Sequence, residues 1–160
     1  MTAARVVYDT MVFLQAAIHP DRRDTTIEAV EDERLILCTS PELLAEVRDV
    51  LSRPALSAKF SALTPERVEL FLQKINFMAA LFEEVPSTFT WPEHPDDDHL
   101  FNLAIASNVK YLVTWENRIL KVAQERSPAA ALLRQLAPQL SIVTPADLAA
   151  ELRSQRDESV

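Results

Sequence analysis

Residues 5–10, Arg5-Val6-Val7-Tyr8-Asp9-Thr10, run from a β-branched and aromatic triplet into an acid and a hydroxyl. Residues 5–8 read as a short buried strand. Asp9-Thr10 lead into an apolar helix from Met11 to Ile18, which His19-Pro20 stop. The same strand-then-helix pattern recurs outward along the chain. Leu35 to Thr39 form a second strand, and Ser40-Pro41 open a helix with a cap residue and proline at its first position. Tyr111-Leu112-Val113-Thr114 form a third strand and Leu140 to Val143 a fourth. Short apolar strands separated by helices predict an α/β protein of three layers, with a parallel sheet covered on both faces. Sheets of that kind bind ligands at the carboxyl ends of their strands, so the residues just after each strand carry the functional weight.

The remaining helices follow from periodicity and caps. Asp24 to Glu33 form a polar helix. Leu43, Leu44, Val47, Val50 and Leu51 make a helical stripe that Arg53-Pro54 end. Thr64-Pro65 start a long helix to about Glu84, and residues 85–96, with three prolines, read as an extended connection. Asp97 to Asn108, 116–125 and 128–137 are helical. Thr144-Pro145, with Asp147 three residues after the cap, begin a terminal helix. The expectation is a single domain over residues 1–153 and a frayed tail over 154–160.

Composition narrows the chemistry. The 160 residues hold no glycine, where average usage of about 7% would give roughly eleven. Gly-rich phosphate loops, the dinucleotide fingerprint, the nucleophile elbow and the EF-hand are thereby excluded. Cys38 is the single cysteine, so neither an internal disulfide nor a Cys-based zinc site can form, and its apolar run places it in the core. No apolar run approaches the ~20 residues that span a bilayer, and no signal segment follows Arg5, so the expected location is cytoplasmic, with no membrane partner. The 16 basic and 24 acidic side chains give a net charge of −8, which opposes unaided nucleic-acid binding but suits a site built around a divalent cation.

The acids fall where such a site belongs. Asp9 follows the first strand, Glu46 lies in the helix after the second, Asp97 and Asp98 open the helix before the third, and Glu116 follows that strand. Close carboxylates repel by ~1 kcal/mol or more per pair, and a divalent cation relieves this. Oxygen-only donors suit Mg²⁺ or Mn²⁺, and a metal-activated water can attack a phosphodiester. Each acid also has a structural reading. Asp9, Asp97, Asp98 and Glu116 sit at helix starts, where anions are favoured. Glu46 lies about 100° from the centre of its helix's apolar stripe, on the border between core and solvent.

Val6-Val7-Tyr8-Asp9-Thr10, Ser40-Pro41-Glu42-Leu43-Leu44-Ala45-Glu46-Val47, His94-Pro95-Asp96-Asp97-Asp98-His99-Leu100-Phe101-Asn102-Leu103-Ala104, Lys110 to Thr114 and Ile142 to Leu148 together resemble the PIN domain family, in its toxin branch. The resemblance implies a three-layer PIN-like fold with a five-stranded parallel sheet. It also implies cleavage of RNA by acids that hold Mg²⁺ or Mn²⁺, and a cognate antitoxin protein as partner. Carried over by position, the catalytic acids fall on Asp9, Glu46, Asp98 and Glu116. Asp97 is an alternative metal ligand beside Asp98, and Thr10 and Thr114 are supporting residues. Three positions depart from the family pattern. Met11 stands where asparagine is usual, Trp115-Glu116 replace Gly-Asp, and Arg118 stands where a further acid is common.

Two functions are carried forward: a metal-dependent endoribonuclease acting on single-stranded RNA, and a degenerate member that binds RNA or a protein partner with little cleavage. A receiver-type signalling domain also gathers acids at strand ends, but it needs a lysine after its last strand, where this chain has Thr144-Pro145-Ala146. Candidate phosphate contacts are Arg22, Arg23, Arg48, Arg53, Arg118 and Lys121, with Arg48 and Arg118 foremost. On the 65–84 helix, Leu70, Phe77 and Leu81 form a second apolar stripe about 140° from the core-facing one. Either segment 55–63 covers it or a second copy does, and the latter predicts a homodimer.

Overall fold

The computed structural model describes residues 3–20 and 25–158. Among these, five strands form one all-parallel sheet in the order β3-β2-β1-β4-β5. The strands are β1 (Ala4–Tyr8), β2 (Leu35–Thr39), β3 (Ala80–Leu81), β4 (Tyr111–Val113) and β5 (Ser141–Val143). The helices are α1 (Thr10–Ile18), α2 (Thr25–Glu31), α3 (Pro41–Leu51), α4 (Pro54–Lys59), α5 (Pro65–Met78), α6 (Asp98–Ala106), α7 (Asn117–Val122), α8 (Pro128–Leu136) and α9 (Pro145–Glu158). This is the three-layer α/β/α arrangement expected from the strand and helix pattern.

β1 is the central strand, and Val6, Val7 and Tyr8 are fully buried within it. From β1 the chain crosses to β2 on one side and later returns to β4 on the other, so the strand order reverses at β1. Such a reversal opens a crevice at the carboxyl ends of the two neighbours. The Asp9 amide donates to the Val113 carbonyl at 2.9 Å, fixing those two strand ends against each other.

Ser and Thr followed by proline cap the helices as the sequence predicts at Ser40, Thr64 and Thr144, and the structure adds Ser127. Ser40 Oγ, Thr64 Oγ1, Ser127 Oγ and Thr144 Oγ1 accept the amides of Leu43, Arg67, Ala130 and Asp147. In a chain without glycine, the two left-handed positions among the described residues fall to Glu33 (φ 59°) and Asn108 (φ 52°). Asn tolerates that region, whereas Glu33 pays for the lack of glycine with about 1 kcal/mol of strain.

The long helix predicted to Glu84 stops at Met78. Ala79 turns to extended backbone (ψ 150°), and Ala80 and Leu81 pair with Cys38 and Thr39 as the fifth strand. The Phe82 amide continues the ladder to the Thr39 carbonyl at 2.8 Å. Leu81 therefore lies in a strand and leaves the second stripe, while Phe77 on α5 is 91% exposed and uncovered by segment 55–63. α4 is an added helix within that segment. The helix predicted from Asp97 begins with a 3₁₀ turn, Pro95–Asp97, that leads into α6. α9 is helical to Glu158, through the positions where a frayed tail was expected. Cys38 is buried, as its apolar run predicts. Asp24, Arg22 and Arg23 lie outside the described residues. Among the described residues, no helix is long and apolar enough to cross a membrane.

Candidate active site

The crevice at the β1–β4 switch holds most of the predicted acids, and two threonines organise them. Thr10, the first residue of α1, donates its amide to Asp9 Oδ1 (2.7 Å) and its hydroxyl to Glu46 Oε2 (2.9 Å). Thr114, the first residue beyond β4, donates its hydroxyl to Asp9 Oδ2 (2.8 Å), and the same oxygen accepts the Glu116 amide (3.0 Å). Both threonines are buried. Asp9 is thus held from both sides: Thr10 links it to Glu46 through its amide and hydroxyl, and the Thr114 hydroxyl links it to the Glu116 backbone.

The electrostatics follow from this packing. Burial pushes the Asp9 carboxyl above the usual aspartate range, and nearby Glu46 and Asp97 add to that rise, while the Thr114 hydroxyl and Thr10 amide pull it back. Glu46 goes the other way. His99 Nε2, 3.2 Å from Glu46 Oε2, holds that carboxyl below its usual range, and the Thr10 hydroxyl helps against partial burial. Burial alone would lower the His99 pKa, but Glu46 together with Glu42 and Asp97 raises it. His99 was not among the residues singled out from sequence. It is the second residue of α6, and nothing in the local pattern marks a histidine as facing a glutamate on α3.

On the opposite side Arg118 binds two acids at once. Its Nε and Nη2 fork onto Asp97 (3.1 and 3.4 Å), and its Nη1 reaches Glu116 Oε2 at 3.0 Å. The two neighbouring aspartates separate in role. Asp97 joins the cluster, whereas Asp98 Oδ1 accepts the Trp91 amide (2.8 Å) and clips the 85–96 connection onto α6. Asn102 does the same further along, accepting the amides of Thr88 and Phe89. The structure therefore brings Asp9, Glu46, Asp97 and Glu116 together and gives Asp98 a hydrogen bond outside the cluster.

The remaining candidates scatter. Arg48 forks onto Glu69 of α5, so it points away from the acids, and Arg53 pairs with Asp49. Lys121 is exposed on α7. At the rim, Met11 (41% exposed) and Trp115 (42% exposed) flank the site, and Trp115 Nε1 donates to Gln15 Oε1 at 2.7 Å. The ring is pinned along the exposed face of α1 instead of closing over Asp9.

Among the described residues, no group of three His, Cys, Asp or Glu side chains is arranged to hold a metal ion. The carboxylates are instead engaged with threonine, histidine and arginine donors. The donor chemistry nonetheless matches a hard divalent cation, being oxygen only. The Arg118 guanidinium lies between Asp97 and Glu116 and bonds to both. The Arg118 side chain is 43% exposed and the Asp97 side chain 17%.

The family model described as PIN domain matches residues 5–118, more than half of the chain. Among solved structures, the chain resembles PAE2754 from Pyrobaculum aerophilum, with a TM-score of 0.51 and 15% identity. That alignment covers 95% of this chain and 98% of the other, and at this identity the likeness is one of fold. No curated protein matches the sequence.

Proposed function

We propose, because the chain belongs to the PIN domain family, generally a nuclease fold, that it is an endoribonuclease of the toxin type. In this reading it cleaves single-stranded RNA with Mg²⁺ or Mn²⁺ and is neutralised by a cognate antitoxin. The observation that carries the reading is the gathering of Asp9, Glu46, Asp97 and Glu116 at the sheet's switch point, tied together by Thr10 and Thr114.

Asp9, Asp97 and Glu116 would hold the ion. When bound, a divalent cation supplies Lewis-acid polarisation of the phosphoryl oxygens and lowers the pKa of water. The side chains do the rest. Glu46, kept ionised by His99, orients the attacking water and accepts its proton at the carboxylate. Thr114 fixes the spacing of Asp9 and Glu116, on which in-line geometry depends. Trp115 presents a pinned aromatic face on the rim, suited to stacking an unpaired base. With a net charge of −8, approach of RNA depends on the added cation.

The test is cleavage of a labelled single-stranded RNA by wild type and Asp9→Asn, with Mg²⁺, with Mn²⁺ and with chelator. Metal-dependent cutting that Asp9→Asn abolishes supports the reading. Wild type that cuts with neither ion overturns it. A second reading, a degenerate member that binds RNA or a protein partner without turnover, is favoured by one observation: Arg118 and His99 already pair with three of the four acids. Metal titration separates the two, since turnover in the first needs metal.

A homodimer is proposed with either reading. Leu70 and Phe77, 64% and 91% exposed, lie seven residues apart on one face of α5. Phe77→Glu, followed by sedimentation, should give a folded monomer. A wild type already monomeric at high concentration ends the dimer idea.

A further inference from the structure

We propose that Trp115, locked in place by Gln15, is a stacking site for one unpaired purine base and gives the crevice a purine preference at its mouth. The proposal rests on the reading that single-stranded RNA enters there, and it adds the class of base that the rim selects.

The placement comes first. Trp115 follows Thr114, whose hydroxyl holds Asp9, so the indole stands one residue from the centre of the crevice. Its side chain is 42% exposed. The other tryptophan, Trp91, is 2% exposed and packs edge-on against His94 and Phe101. Orientation comes second. The Trp115 Nε1–H donates to Gln15 Oε1 at 2.7 Å, which fixes the ring along α1. A base that stacks on it meets a surface already ordered, and little side-chain freedom is lost on binding. Met11, one turn before Gln15 on the same face of α1 and 41% exposed, extends the apolar rim with a polarisable side chain.

The same hydrogen bond orients Gln15. An indole nitrogen only donates, so the amide oxygen must face it and the NH₂ group points away. Gln15 is exposed, and among the described residues its NH₂ group makes no hydrogen bond, which leaves a donor beside the ring edge. That donor suits an acceptor on any base, so contact area decides the class. Indole is a fused two-ring system. A purine covers both rings and a pyrimidine only one. Stacking also suits a chain of net charge −8, because a neutral base approaches without the repulsion that its phosphate meets.

The experiment titrates adenosine and uridine, both uncharged, into isotope-labelled protein without metal. The chain has two indole N–H groups, and Trp115→Phe assigns them. Trp91, whose Nε1–H donates to Glu93 Oε2, is the internal control. Adenosine should move the Trp115 resonance saturably and leave Trp91 in place, with uridine binding at least about 3-fold more weakly. Gln15→Leu keeps the bulk and removes the acceptor. Thermal unfolding checks that this variant folds, and its adenosine affinity should fall by about 3-fold as the ring is freed. Uridine binding as tightly as adenosine, or no response at Trp115, overturns the purine site. Undiminished binding in Gln15→Leu overturns the lock. Neither probe carries phosphate or is turned over, so the outcome is separate from cleavage. A wild type that cuts RNA without the adenosine response loses the stacking site and keeps the nuclease reading. One that responds to adenosine and cuts nothing keeps the site and loses that reading.

Discussion

The two halves of the crevice hold their acids by different means. Asp9 is held by neutral donors, the Thr114 hydroxyl and the Thr10 amide, and Glu46 by the Thr10 hydroxyl together with His99. Asp97 and Glu116 are held by a full positive charge on Arg118. A hydroxyl positions a carboxylate and leaves its charge in place, whereas a guanidinium positions it and cancels the charge. Burial first, and the charges of Glu46 and Asp97 after it, raise the Asp9 pKa, while the single charge of Arg118 offsets part of the two charges on Asp97 and Glu116. The threonine-held half therefore holds a desolvated carboxylate that an added cation would stabilise.

The largest expected effect contrasts Asp9→Asn with Asp97→Asn. Asparagine caps a helix about as well as aspartate, so Asp9→Asn keeps the start of α1. The raised pKa means the folded state holds the Asp9 proton more tightly than the unfolded chain. Wild-type stability should therefore fall as pH rises from 3.8 through the folded value, and the Asn variant should lack that slope. At neutral pH Asp9→Asn should melt higher than wild type, yet cleave RNA at least about 100-fold more slowly. Asp97→Asn removes half of the Arg118 fork and should melt no higher than wild type. Melting curves between pH 3 and pH 8 check both. If the two variants shift alike, the halves do not differ as described.

Next comes Thr114→Val, which removes the hydroxyl joining Asp9 to Glu116 and leaves a buried carboxylate short of a donor. Losing such a bond costs about 1–3 kcal/mol, and loss of an outer support to a metal ligand costs about 10–100-fold in metal affinity or activity. Denaturant unfolding and Mn²⁺ calorimetry measure the two effects. Thr10→Val should do less, because Glu46 retains His99. A Thr10 effect as large as that of Thr114 would place the organising centre on the α1 side.

The same contrast explains what was legible in the sequence. The threonine-held half follows strand ends, and strand ends can be read: Val6-Val7-Tyr8 and Tyr111-Leu112-Val113 are unambiguous, and Asp9 and Thr114 simply follow them. Arg118 was visible as a residue but read as a phosphate contact, because no sequence pattern says which way a first-turn arginine folds. Asp97 and Asp98 could not be separated by spacing. Their roles depend on the 3₁₀ turn and on the Trp91 amide, which comes from a loop without periodicity. β3 was missed for a related reason. Its two residues, Ala80 and Leu81, continue an apolar helical spacing, and only pairing with β2 makes them a strand.

A smaller gain is expected from Met11→Asn combined with Glu116→Asp. Asparagine restores a polar side chain beside Asp9, and aspartate is one methylene too short to keep the 3.0 Å contact with Arg118 unchanged. The first change acts in the threonine-held half and the second loosens the arginine-held one. Metal-dependent cleavage should rise about 10-fold, a figure in keeping with ~1 Å placement effects. A double variant no faster than wild type would show that these departures do not limit the reaction.

The smallest expected effect belongs to His99, the one charged partner in the threonine-held half. Glu46 is depressed below 4.5 in the folded state, so its contribution is present above that pH and lost as pH falls through the folded value. His99 is raised above 6.5, so its contribution is complete below that pH and lost as pH rises through the folded value. The pair therefore stabilises most between the two, in mildly acidic solution. Its size is limited on two counts. The Glu46 side chain is 45% exposed, and His99 Nδ1 is buried without a hydrogen-bond partner, so charging the ring leaves one N–H unsatisfied. After screening, the pair contributes about 0.5–1 kcal/mol, or about 1–4 °C in melting temperature for a chain of this size. His99→Gln keeps a donor toward Glu46 and removes the charge. Its melting temperature should fall below wild type near pH 5.5 and converge with it near pH 8, with Glu42 and Asp97 as the other acids acting on the ring. A deficit that stays constant across this range would mean that His99 serves by packing alone, and that the threonine-held half carries no cation at all.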